Sequence, residues 1–98
     1  MNVVLRDEAR NDIVDGASFF DGQRERLGDY FVDCVFDDLR TMESHPVLHE
    51  LVYGLHRKLV TRFPFAIYYL RDGDTVDVVA ILDCRRDPSL IADTLQGR

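Results

Sequence analysis

Two apolar runs, Phe65 to Leu70 and Val76 to Cys84, are separated by a short polar stretch containing Asp72-Gly73. Both runs are rich in β-branched and aromatic residues, the side chains that fit a pleated, half-buried surface. Asp-Gly favours two-residue type I′ turns, in which both central residues take positive φ. A β-hairpin centred on Asp72-Gly73 is therefore expected. In its second strand Val76, Val78, Ala80, Leu82 and Cys84 share one wholly apolar face, suited to a covering layer of helices. The other face reads Asp77, Val79, Ile81, Asp83 and Arg85, and nothing obvious in the chain covers its middle.

The covering helices precede the hairpin. After a short strand at residues 2–6, a helix is expected from about Asp7, with Ala9, Ile13, Ala17 and Phe20 along one side. Gly16 lies inside it and is read as a point of close packing against a neighbouring helix. Asp21-Gly22 ends this helix, and a second runs from about Arg24 to Ser44, closed by Pro46. Leu27, Phe31, Cys34 or Val35, Phe36 or Leu39, and Met42 form its apolar stripe. Asp33, Asp37 and Asp38 read as a solvated face. Residues 47–54 are expected to be irregular. From Leu55 to Arg62 the pattern alternates, with Leu55, Arg57, Leu59 and Thr61 on one side and His56, Lys58, Val60 and Arg62 on the other. Pro64 marks a turn or bulge between strands, and Pro88 opens a short last helix. The fold class that follows is α+β: an antiparallel helical hairpin on a small, largely antiparallel sheet of about four strands, with a short C-terminal helix.

A chain of 98 residues is read as one domain, 1–98. No run is long enough to span a bilayer and no signal-peptide core follows the N-terminus, so a cytoplasmic location is expected. Cys34 and Cys84 are read as inert thiols rather than a disulfide framework. His45 and His49 have helix-ligand spacing, but Pro46 between them spoils it, so neither a metal nor a cofactor is expected. The net charge of −6 is uneven: residues 1–50 carry 12 acidic against 5 basic groups (−7), residues 51–98 carry 6 against 7 (+1). Whole-molecule attraction to a polyanion is not supported, while a local basic surface is.

The order of elements, with Gly54-Leu55-His56-Arg57-Lys58, Phe63-Pro64-Phe65-Ala66-Ile67-Tyr68-Tyr69, and Val78-Val79-Ala80-Ile81-Leu82 leading to Arg85-Arg86-Asp87-Pro88, resembles the RelE/ParE superfamily of type II toxin–antitoxin toxins. The resemblance implies a bacterial toxin, in some systems a plasmid-stabilisation factor, neutralised by a cognate antitoxin within a hetero-oligomer. It implies one of two targets: DNA gyrase for ParE-like members, or mRNA on the ribosome for RelE-like endoribonucleases. A third reading is a degenerate member that only binds its partner. Metal-free RNA cleavage needs proton-transfer groups and cations around the phosphorane, and Arg62, Tyr68 and Arg85 are the catalytic candidates. However, Ala66 stands where many relatives carry a basic residue, and Asp83 where relatives often carry histidine. The reading therefore leans away from an enzyme and toward gyrase inhibition. Arg57, Lys58, Arg62, Val79, Ile81, Asp83, Arg85 and Arg86 are the expected target- or antitoxin-binding residues, with Val79 and Ile81 as an exposed apolar face for the antitoxin.

Overall fold

The computed structural model describes residues 1–45 and 49–98, so the expected role of Pro46 lies outside the described residues. The elements run β1 (Asn2–Leu5), α1 (Asp7–Gln23), α2 (Leu27–Ser44), β2 (Leu51–Val52), β3 (Leu55–Leu59), β4 (Phe65–Asp72), β5 (Thr75–Asp83) and α3 (Pro88–Gln96). The strands form one sheet in the order β1-β5-β4-β3-β2, with β1 parallel to β5 and the other pairs antiparallel. The α+β class holds. The strand count rises to five because Leu51 and Val52, expected to be irregular, pair with His56 and Leu55.

The turns exchange roles. Tyr53 and Gly54, between β2 and β3, both have positive φ (55° and 78°), the type I′ pattern expected at Asp72-Gly73. In the β4–β5 hairpin Asp72 pairs with Thr75, so the central residues are Gly73-Asp74, and only Gly73 has positive φ. That combination suits a type II′ turn. The strand from Leu55 also stops early, at Leu59; Val60 N–H donates to Phe65 C=O across the turn that follows.

A β-bulge divides the sheet's two faces. Tyr68 pairs with Ala80 and Tyr69 with Val78, so Val79 is the extra residue on β5. Before it, Val76 and Val78 face α1 and α2; beyond it, Ile81 takes that direction. Ala80 and Leu82 turn instead to the opposite face, where they meet Ile91 and Leu95 of α3. The expected single apolar face from Val76 to Cys84 is therefore broken in its middle. The structure has helices on both sides of the sheet.

On the α1–α2 side, Phe20, Phe31, Phe63 and Phe65 form an aromatic cluster with ring centroids 4.8–5.7 Å apart. Gly16 packs against it as expected: a Cβ there would stand 2.7 Å from the Phe31 ring. Gly28 is tighter, since its Cβ would lie 2.3 Å from the Ala17 carbonyl oxygen. Asp21 does not end α1, which runs on through Gly22 to Gln23. Its carboxylate accepts from Gly28 N–H at 2.8 Å and so ties the start of α2 to the end of α1. Gly28→Ala gains helix propensity of about 1 kcal/mol but forces two backbones apart. A net loss of roughly 2 kcal/mol is expected, read as a lower urea midpoint; an unchanged midpoint would contradict the packing.

The short strand β2 is held by a cluster of two histidines and a tyrosine. Tyr69 Oη lies 2.6 Å from His49 Nδ1, His56 Nδ1 lies 2.7 Å from His49 C=O, and the His56 ring stacks on Tyr69. Arg57 N–H donates to Glu50 C=O at 3.0 Å. Burial, then the charges of Lys58 and His56, hold the His49 imidazole below the ordinary value of 6.5. Because the folded pKa is depressed, the neutral form's contribution is complete above the unfolded value of 6.5. It is lost as pH falls through the folded pKa. The Arg57 amide should thus lose exchange protection, corrected for intrinsic rate, as pH drops below 6.5, and His49→Gln should flatten that dependence. Protection that stays constant to about pH 5 would show that His49 does not hold the strand.

Candidate functional site

The α3 side of the sheet gathers Arg57, Tyr68 and Cys84. Arg57 and Tyr68 are cross-strand partners on β3 and β4. The Arg57 guanidinium is bound to Glu50 at 2.9 Å, which raises its pKa, and its Nε is buried without a hydrogen-bond partner among the described residues. Tyr68 is 1% exposed beneath α3, and burial pushes its phenol above the ordinary value, partly offset by Arg57. Cys84 is half-buried, with its thiol likewise pushed up by burial. A phenol and a thiol shifted upward are less available as bases or nucleophiles near neutral pH.

The other candidates lie elsewhere. Lys58 faces α2, 3.4 Å from Asp38. Arg62 leaves the sheet, takes φ 69° in the turn after β3, and donates to Tyr30 Oη of α2 at 2.9 Å. Arg85 folds back on Asp83 in a bidentate pair at 3.0 and 2.8 Å, which holds the Asp83 carboxyl below the usual aspartate value. Arg86 is exposed at the mouth of a hollow of about 280 Å³ lined also by Asp12, Asp15, Phe19, Phe65 and Ile81. Arg62, Tyr68 and Arg85 are therefore not brought together. Arg62 sits against α2, Tyr68 lies under α3, and Arg85 is turned to its own carboxylate. Of the expected binding residues, Val79 and Ile81 are 2% and 1% exposed. The exposed apolar face expected there is absent: the bulge sends Ile81 under α1 and α2, and α3 covers Val79.

Other residues entered unannounced. Asp38, expected to be solvated, is 7% exposed and accepts from both Thr61 N–H (2.8 Å) and Thr61 Oγ1 (2.9 Å). Its position on the Phe31-Val35-Asp38-Met42 spacing was a usable signal. Asp12 and Arg98 form a bidentate pair at 2.6 and 2.8 Å beside β5; Asp12 accepts from Ile81 N–H and Arg98 donates to Val79 C=O. No local pattern announces a pair so far apart in the chain. An open apolar groove of about 540 Å³ runs along the helical hairpin, lined by Leu5, Ile13, Val14, Ala17, Val32 and Phe36.

This architecture matches a solved structure described as the chromosomal ParDE TA system from P. aeruginosa, with a TM-score of 0.71 over 83% of this chain and 92% of that one. The fold is ParE-like. Sequence identity across the ParE-like match is 13%, and no family model and no curated protein matches the sequence. The ParE-like fold keeps the element order read from the sequence. Among the described residues, no helix is long and apolar enough to cross a membrane.

Lys58, Asp38 and Thr61 anchor the turn that carries Arg62. Removing the Asp38 carboxylate strands the Thr61 amide and takes the counter-ion from the largely buried Lys58 ammonium, which keeps the Leu59 carbonyl at 3.3 Å. Asp38→Ala should cost about 3 kcal/mol, and Arg62 should lose its fixed orientation on Tyr30. Denaturant melts and the loss of the Thr61 amide's exchange protection measure the two effects.

Proposed function

We propose that this chain is the toxin of a type II toxin–antitoxin pair and that it acts by gripping a macromolecular target, with DNA gyrase the favoured one. The observation that carries the reading is the ParE-like fold over 83% of the chain. Binding is favoured over cleavage because the candidate catalytic side chains are dispersed: a buried phenol, a guanidinium on a tyrosine, and a guanidinium on an adjacent carboxylate. General acid–base catalysis requires such groups within reach of one phosphate. The apolar contact offered to an antitoxin moves from Val79 and Ile81 to the hairpin groove, where Val14 is 64% exposed.

Induced expression of the chain alone, then together with the neighbouring gene's product, tests the toxin reading. Growth arrest relieved by co-expression is the expected result, and unimpaired growth would leave only a partner-binding role. The purified chain should inhibit a supercoiling assay and leave mRNA intact in a translating extract. Cleaved mRNA with normal supercoiling would assign it to the endoribonucleases.

A further inference from the structure

The α1–α2 turn, the turn after β3 and the turn after β5 meet at one end of the molecule. The Phe63 ring lies 4.8 Å from Phe20 and 5.5 Å from Tyr30, and Cys84 N–H donates to Pro64 C=O at 2.8 Å. These contacts bring together Arg24 and Arg26 from the first turn, Arg62 from the second, and Arg86 from the third. All four are exposed, and among the described residues none is in an ion pair. Two large aromatics stand among them: Phe19 is 50% exposed and Tyr30 41%. We propose that this arginine–aromatic end is a docking surface for a protein partner that presents an acidic segment.

Charge is the first argument. Residues 19–30, 60–64 and 83–87 hold five basic and five acidic side chains, leaving seven basic and 13 acidic in the rest of the chain. Three of the five local carboxylates are already engaged: Asp21 with Gly28 N–H, Asp83 with Arg85, and Asp87 with Ser89 N–H. Asp21 and Asp87 accept from uncharged N–H groups and keep their charge, so these segments sum to zero while the rest of the chain carries −6. This end is less acidic than the remainder, and four of its five arginines stand outside any ion pair among the described residues. Asp12, Asp15 and Asp83 border only the hollow beside Arg86.

Composition is the second. Arginine and exposed aromatic side chains together are the residues that anchor protein–protein interfaces. A long nucleic acid would run from this end onto the acidic remainder of the surface, whereas a compact acidic segment would not.

The backbone supplies the third. Arg26 and Arg62 have φ of 67° and 69°, two of the three non-glycine residues in the left-handed region among those described. Glycine would occupy these positions without steric conflict, yet long cations stand at both. The substitutions Arg26→Gly and Arg62→Gly therefore remove the charges without demanding a new backbone.

The surface can be tested whether or not the chain arrests growth. A labelled short Glu-rich peptide should bind the wild-type chain at low salt and weaken as salt rises. The triple variant Arg24→Gln, Arg26→Gly, Arg62→Gly should bind about tenfold more weakly while melting within about 4 °C of wild type. The control Arg71→Gln, at the far end of β4, should bind as wild type does. Equal binding by the triple variant, equal loss in the control, or no binding of the peptide at all would overturn the proposal. A short RNA or duplex DNA of matched charge binding more tightly than the peptide, through the same three arginines, would overturn it in favour of a nucleic-acid face.

Discussion

One extra residue in β5 sets the orientation of the sheet. Without the bulge at Val79, every second side chain from Val76 to Cys84 would face the helical hairpin, and the face now under α3 would carry Val79, Ile81 and two aspartates. With it, Val76, Val78 and Ile81 serve one core while Ala80 and Leu82 serve the other. Two small cores then share a single central strand. Because side-chain direction alternates with period two, one inserted residue is enough to exchange all that follow.

The larger core is aromatic, and it reaches to the end of the molecule where the three turns meet. Phe63 is outside any strand, yet its ring is packed on Phe20, Phe31 and Tyr30. Together with the Asp38–Thr61 hydrogen bonds, this packing fixes a turn that would otherwise be a loose connection between strands. The same core therefore supports stability and the placement of Arg62. A site on a turn gains precision when the turn is anchored by buried groups in this way.

Much of the architecture was legible in the sequence, because periodicity reports which residues need burial. The helical hairpin, the order of β3 to β5, the close packing at Gly16 and the helix opening at Pro88 all follow from local pattern. The bulge does not, since an uninterrupted apolar strand reads the same with or without one. That ambiguity produced the expected exposed face at Val79 and Ile81. Turn chemistry was half legible: the positive-φ pair formed at Tyr53-Gly54, where tertiary pairing of a two-residue strand outweighed the poorer propensity of tyrosine. Of the candidate cations, the sequence placed Arg85 and Arg86 at the end of the last strand, and both are exposed. It could not supply their partners, because the contacts of Arg62 with Tyr30 and of Lys58 with Asp38 join segments distant in sequence.

The Asp12–Arg98 pair has a wider consequence. β1 accompanies β5 only as far as Val78, and beyond that point the carboxylate and guanidinium take the hydrogen bonds that another strand would have made to Ile81 and Val79. An unoccupied strand edge is a template on which any extended chain can add. Here two side chains, 86 positions apart, close that template. Such a contact closes a very long loop, whose entropy has to be met before the contact contributes. Until it closes, this stretch of β5 can take a foreign strand, including one from a second copy of the chain.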